Sequence, residues 1–239
     1  MEEALRASPG RLKRVALVAG ALPPPLARIL ELARAAGVPL ERHPRPVLDR
    51  WAGARRHQGV VAWAEAARVV ELADLLAADP PPGLLLVLDQ VTDPGNLAAA
   101  LRSAAAFGVE GVVLPGRGSA GVDEMVSQRS AGAVEHLKLA RTVNLADGLR
   151  RMKEAGIWTI GLEASAPPLW EAFDLTRRVA LVLGAEGKGL RRLTRERCDL
   201  LAGIPMAGVI GSLNVAVACG VALYEVHRQR SRAGSRAGS

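Results

Sequence analysis

Apolar and polar positions follow two regimes along this chain. Over residues 1–78 the apolar runs are short and change period often. Residues 2–7 and 23–36 carry helical spacing, residues 15–19 a β-rich run, residues 38–41 a strand and residues 46–54 a short helix. GVVAWA at 59–64 reads as a buried strand, and residues 68–77 as a closing helix. Proline is tolerated in the first turn of the 23–36 helix, and Gly37 ends it. The pattern predicts a small α/β layer domain over residues 1–78. DPPPG at 79–83 cannot continue a helix and stiffens the chain, which makes it the expected linker.

From Leu84 the signal strengthens. LLLVLD at 84–89 is a continuous apolar run ended by an acid, as a central parallel strand covered on both faces requires. An Ala-rich helix follows at 96–107, then a strand at 109–115, a helix at 123–131, a strand at 136–139 and a helix at 145–155. Strands at 157–162, 178–184 and 200–204, with a helix at 190–197, continue the alternation. Such alternation predicts an α/β domain over residues 84–228, a parallel sheet with helices on both faces. Ligands of these sheets bind beyond the carboxyl ends of the strands. Residues 204–225 fit that place: the last strand stops at Pro205, a glycine-bearing loop follows, and Ser212 opens an apolar run long enough for a buried helix. Ser212 and Asn214 are then expected in its first turn, where free N–H groups and the positive end of the helix dipole favour a polar ligand. Residues 229–239, basic and rich in Ser and Gly, are expected to be a disordered tail.

Composition narrows the function classes. The chain has 239 residues, 49% of them hydrophobic, enough for one large core or two modest ones. No uninterrupted apolar run reaches the roughly 18 residues that span a bilayer, and the acidic opening MEEALRAS is unlike a signal peptide. No membrane association and a cytoplasmic location are therefore expected. Cys198 and Cys219 sit in no CxxC or Cys/His cluster, which argues against zinc and disulfides and for buried thiols. The net charge of +7, carried mostly by arginine, suggests a polyanionic partner held by phosphate forks. An aromatic content of 3% argues against a base-stacking platform; if RNA is the partner, contact should be mainly to phosphate and shape. The cluster Arg50, Arg55, Arg56 and His57 could touch RNA or form an ordinary solvated face; the sequence leaves both open.

Two glycine-rich stretches do not make a nucleotide site. GAEGKGL at 184–190 has Gly189 where a phosphate loop needs Ser or Thr, and no Gly five residues before Gly187. GRGSAG at 116–121 matches GxGxxG, but it is a lone match in the second strand-helix unit of the domain.

The stronger signal is a set of three segments, each following a buried strand: DPGNLAAALRSAAAFG at 93–108, LVLGAEGKGL at 181–190 and IPMAGVIGSLNVAVACGVALYE at 204–225. In this order they resemble the three motifs of the SpoU/TrmH ribose 2′-O-methyltransferases, members of the knotted SPOUT class, over residues 84–228. Residues 1–78, including HQGVVA at 57–62, resemble the small ribosomal-protein-like substrate-binding domain of many bacterial members.

The resemblance implies transfer of a methyl group from S-adenosylmethionine to an RNA ribose 2′-hydroxyl without a metal. It implies a guanosine of 23S rRNA as substrate, with tRNA or another rRNA nucleoside as the alternative. Asn96, Arg102, Glu186, Ser212 and Asn214 match the catalytic positions, and Gly184, Ile204 and Leu213 match positions whose main chain encloses the cofactor. Arg102 is charged at any usable pH and is a poor base, so it is expected to grip a phosphate and place the ribose. Glu186 is expected to anchor its loop or the ribose. A deep trefoil knot after Ile204 and a homodimer with the site near its interface are also implied. A reading from another class, a non-catalytic RNA-binding assembly factor on the same fold, is disfavoured by the complete set of site residues.

Overall fold

Alternation along Leu12–Val18 (β1) sends Val15 and Leu17 to one face, where they are buried under the helices Glu2–Ala7 and Pro24–Ala35. Leu5, Leu26, Ile29 and Ala33 complete this small core. β1 pairs in parallel with Leu40–His43 (β2) and antiparallel with Val60–Ala64 (β3), giving the order β2-β1-β3. A third helix, Arg45–Ala52, buries Leu48. The computed structural model describes every residue except 54–56, 66, 117, 120–121, 123–125, 127–128, 131 and 238–239. It divides into two units, Met1–Ala67 and Arg68–Ser239.

The boundary therefore falls earlier than the DPPPG stretch suggests. Residues 68–77 are not a closing helix of the small domain. Val69–Glu71 (β4) is a strand that pairs in parallel at the edge of the large sheet, and the helix Leu72–Leu76 drops Leu72 and Leu75 into that sheet's core. Three residues are too few to show a period of two, so a helix extended back over them was the natural reading.

The basic cluster of the small unit also resolves in part. His57 is almost fully enclosed, its side chain 6% exposed; Nε2 lies 2.8 Å from Asp49 Oδ1, and Nδ1 accepts from the Gly59 N–H at 3.1 Å. It holds a turn in which Gln58 and Gly59 both adopt positive φ. Arg50 is exposed, and Arg55 and Arg56 lie outside the described residues.

The second unit is built on a seven-stranded sheet. Leu84–Leu88 (β5), Gly111–Pro115 (β6), Lys138–Thr142 (β7), Trp158–Leu162 (β8), Val179–Leu183 (β9) and Leu200–Ala202 (β10) join β4 in the order β10-β8-β9-β5-β6-β7-β4. Every pairing is parallel. All five residues of β5, β6 and β9 are buried, as continuous apolar strands covered on both faces must be. The α/β class and parallel sheet expected from the sequence are observed. Because the strands are parallel, the carboxyl ends of β5, β9 and β10 open on one edge. The expected helix over 123–131 falls mostly outside the described residues, and a short helix at Leu169–Ala172 escaped the sequence reading.

The last helix differs most from expectation. It begins at Val215, not Ser212, and runs to Ala237, so residues 229–237 are helical instead of disordered. Arg230 explains the order: Nη2 donates to Gly83 O at 2.7 Å and Arg177 O at 2.9 Å, and Nε to Leu175 O at 3.2 Å. Gln229 Oε1 adds a bond from the Leu175 N–H at 3.0 Å. These carbonyls sit at the entrances to β5 and β9. Composition alone could not reveal that a basic tail had such partners. Cys219 is buried on the same helix and Cys198 is half-buried, and burial pushes both thiols up to about 12.

Candidate active site

The first segment enters through Asp93. Its carboxylate caps the helix Pro94–Ala106 by accepting from the Asn96 N–H at 2.7 Å, and Pro94 fills the first helical position, where no donor is needed. Asn96 is thereby fixed in the first turn. Arg102 stands six residues on, about 9 Å along the axis at helical rise, and its side chain is exposed.

The second segment is the loop leaving β9. Here the chain folds back so tightly that a Cβ on Gly184 would lie 2.0 Å from the Gly189 carbonyl carbon and 2.3 Å from the Leu190 nitrogen. The Gly189 N–H closes the loop onto Ala185 O at 2.8 Å, and Gly187 and Gly189 both take positive φ. The glycines of GAEGKGL thus make a compact loop that presents Glu186 outward.

The third segment supplies Asn214, whose Oδ1 accepts from the Ala216 N–H at 2.9 Å and so caps the last helix. Ser212 precedes the helix in the loop and does not stand in its first turn, a correction to the expectation. The apolar run begins before the helix because Leu213 and its neighbours serve the loop wall.

The last helix packs along the Pro94–Ala106 helix, and the two run in the same direction. Asn96 meets Asn214 at their starts, Gly220 passes Ser103 midway, and Phe107 meets Tyr224 edge to face at 6.2 Å near the far end. Two helix N-termini therefore converge on one place. Glu186 joins them: Asn96 Nδ2 donates to Glu186 Oε2 at 2.9 Å, Asn214 Nδ2 donates to Asn96 Oδ1 at 2.9 Å, and Asn214 Nδ2 lies 3.3 Å from Glu186 Oε1. Each partner uses its complementary atom, so the three side chains hold one another in fixed rotamers.

A cavity of about 560 Å³ opens beside Glu186. Leu183, Ile204, Leu213 and Val215 give it an apolar side, and the 184–190 main chain, Ser212 and the Arg195–Glu163 ion pair of 2.6 Å give it polar groups. Gly184, Glu186, Ile204, Ser212 and Leu213 thus share this wall; Asn96 and Asn214 reach it through Glu186. Arg102 is not part of that hydrogen-bonded trio.

Sequence reading missed Asp89 and Arg191. Asp89 is fully buried at the end of β5, where Oδ1 accepts from Arg191 Nε at 2.7 Å and Oδ2 from the Arg191 N–H at 3.2 Å. This pair ties the far end of the glycine loop to the central strand. The acid that ended LLLVLD was the available signal, since a carboxylate closing a buried strand needs a partner.

Known proteins share this architecture. The family model of the SpoU rRNA Methylase family matches residues 83–224, and that of the RNA 2'-O ribose methyltransferase substrate binding domain matches residues 1–70. The 23S rRNA (guanosine-2'-O-)-methyltransferase RlmB of Xylella fastidiosa is 49% identical over 206 residues, covering 85% of this chain and 83% of its own. That of Shewanella oneidensis is 43% identical over 234 residues, covering 96% and 94%. The crystal structure of the SpoU methyltransferase AviRb from Streptomyces viridochromogenes in complex with AdoMet superposes with a TM-score of 0.77 at 25% identity, covering 96% of this chain and 87% of its own.

Proposed function

The chain belongs to the SpoU rRNA methylase family, and on that premise we propose that it is an S-adenosylmethionine-dependent methyltransferase of RNA ribose 2′-hydroxyls, acting on a guanosine of 23S rRNA. The observation that carries the reading is Glu186, which lines the cavity and is also bonded to Asn96 and near Asn214 at the two helix starts. A ligand pocket and a polar cluster are thus built as one site.

The cavity suits the cofactor in size and lining, within the roughly 300–1,000 Å³ of small-molecule sites. Gly184, Ile204 and Leu213 would enclose its adenosine by main-chain contacts. The absence of a Cβ at Gly184 is what lets the loop close over that wall. When bound, S-adenosylmethionine supplies a methyl group on a positively charged sulfur. The chain's task is then to place a ribose hydroxyl in line and to help its proton leave, because that hydroxyl is a very weak acid.

Arg102 is exposed, always charged and forked, suited to gripping a phosphate bidentately and unsuited to taking a proton. It fixes the ribose, and the proton leaves to the gripped phosphate or to a water beside it. Glu186 holds its loop and both amides, while Ser212 adds a hydroxyl to the cavity wall. The converging helix starts favour the anionic substrate.

Support for rRNA over tRNA comes from residues 1–70, which match the substrate-binding model, and from the RlmB relatives that share this domain. The same reading carries a trefoil knot, with the segment after Ile204 threaded through an earlier loop, and a cytoplasmic location. It also carries a homodimer. Val217, Val221 and Tyr224 lie on one stripe of the last helix and are 52%, 40% and 55% exposed, an apolar face suited to a second copy. No helix among the described residues is long and apolar enough to cross a membrane.

The test is incubation with labelled S-adenosylmethionine and, separately, unmodified 23S rRNA, 16S rRNA and tRNA, followed by mapping of the 2′-O-methyl. Label at a guanosine of 23S rRNA alone is expected. Label only in tRNA would overturn the substrate, and no label in any RNA would overturn the activity in favour of a binding role.

A further inference from the structure

Two of the chain's four tryptophans meet on the small unit, which is more than a low aromatic content suggests. Trp51, on the helix Arg45–Ala52, lies 5.1 Å from Trp63 of β3 at 79° between planes, and 4.8 Å from His43 of β2 at 78°. Arg14 of β1 sits over Trp63, its guanidinium carbon 3.7 Å from the ring centroid and 5.4 Å from that of Trp51. Arg14 pairs directly with Trp63 in the register and lies on the face opposite the small core. The cluster therefore lies on the second face of this sheet, where the Arg45–Ala52 helix also packs, and within it Trp51 is 36% exposed.

Its polar groups are already committed. Arg14 Nη1 donates to Glu41 Oε1 at 3.2 Å, and Glu41 Oε2 lies 2.9 Å from His43 Nε2. The hydrogen bond from His43 and then that from Arg14 hold the Glu41 carboxyl below the usual carboxylate range. Both carboxylate oxygens are engaged, one by Arg14 and one by His43, so neither is left to read a base edge. By contrast, both ring contacts of Trp51 are perpendicular, Arg14 covers part of one side at 5.4 Å, and no ring stacks in parallel on it while 36% of the residue stays exposed. Arg45 and Arg50 are exposed on the Arg45–Ala52 helix and supply positive charge for a phosphate chain.

We infer that Trp51, backed by Trp63, His43 and Arg14, is a stacking shelf for an unpaired base of the RNA substrate. The inference rests on the proposed RNA methyltransferase reading and deepens it: the small unit selects single-stranded RNA by stacking, without choosing sequence. Every base offers a ring face, so a shelf without edge readout accepts any of the four. Trp51 acts as a positioning residue, distant in role from methyl transfer.

The test uses the full chain, a mixed-sequence 12-nucleotide RNA and the same RNA as a duplex. The single strand should quench tryptophan fluorescence, and the duplex should not. Trp51→Ala should weaken single-strand binding about tenfold, the loss expected for one stacked base. It should also raise KM for rRNA with kcat and cofactor affinity retained. Trp51→Phe keeps a ring and should keep affinity while losing most of the quench, which locates the shelf even if the alanine variant folds poorly. Trp158→Phe, in the other unit, should leave affinity and most of the quench intact. Equal binding of duplex, unchanged affinity in Trp51→Ala, or a full quench in Trp51→Phe would each overturn the inference. Trp51-dependent single-strand binding without methylation of any RNA would overturn the proposed activity and leave the shelf standing.

Discussion

Asn96 Nδ2 donates to Glu186 Oε2 at 2.9 Å although 90 positions of sequence separate them. Asn214 completes the contact from 118 positions beyond Asn96. Loss of any one of the three leaves the other two with only their single mutual bond. Glu186→Gln replaces an acceptor oxygen by a donor that opposes the Asn214 amide, and kcat/KM for RNA should fall about 100-fold, as for a misplaced reacting group. Steady-state methylation checks this, with calorimetry expected to show cofactor affinity within a few-fold of the original.

Arg102→Lys keeps the charge and loses the planar fork. Turnover of RNA should drop by about 100-fold while cofactor binding stays unchanged. Full activity in this variant would remove the phosphate-gripping role. Arg102 is exposed and outside the trio, so thermal stability should hardly move.

How much of this was legible beforehand depended on length scale. LLLVL and VALVL announce buried parallel strands because continuous apolar runs have few other uses, and they became β5 and β9. VVE at 69–71 was not legible, because a three-residue edge strand is defined by its partner β7 and not by its own period. The same holds for Arg230, whose carbonyl partners come from segments 53 to 147 positions away. Asn96, Glu186 and Asn214 were nameable only through motif resemblance; no local spacing says that three distant polar side chains will bond to each other. His57 shows the reverse case, a residue in a basic stretch that proves to be enclosed and engaged in a turn.

Asp89→Asn weakens the bond to Arg191 that fastens the glycine loop. Arg191 is 44% exposed while Asp89 is fully buried, so the expected cost is about 2 kcal/mol, less than for a wholly buried pair. Calorimetry should record a melting temperature lower by roughly 5 °C. The cofactor KM should rise with it, since the loop forms the cavity wall.

Acid should weaken the second unit through Asp199. Burial raises its carboxyl pKa, but bonds from the Thr159 N–H and hydroxyl and from Lys153 outweigh this and hold it below the usual value. The folded value thus lies under the unfolded value of about 3.9. The associated stability is complete above that value and lost as pH falls through the folded one. Urea unfolding at pH 7, 5 and 3 should show a steeper acid loss in the original chain than in Asp199→Asn.

Gly184→Ala should be tolerated by the strand and refused by the loop. A methyl group 2.0 Å from the Gly189 carbonyl carbon forces residues 185–189 outward, and overpacking of this kind costs about 1–3 kcal/mol. Cofactor binding by calorimetry should be lost while far-ultraviolet circular dichroism is retained.

That same close approach leaves the pocket wall a bare backbone at Gly184, Gly187 and Gly189, with no side chain at those points to trim or enlarge. Anyone wishing to make the enzyme accept an enlarged cofactor analogue has no lever at these three glycines, and Glu186 between them is committed to Asn96 and Asn214. The workable positions are Met206 and Leu213 on the opposite loop, where side chains line the pocket at a partly open edge and can be shortened without disturbing the chain behind them.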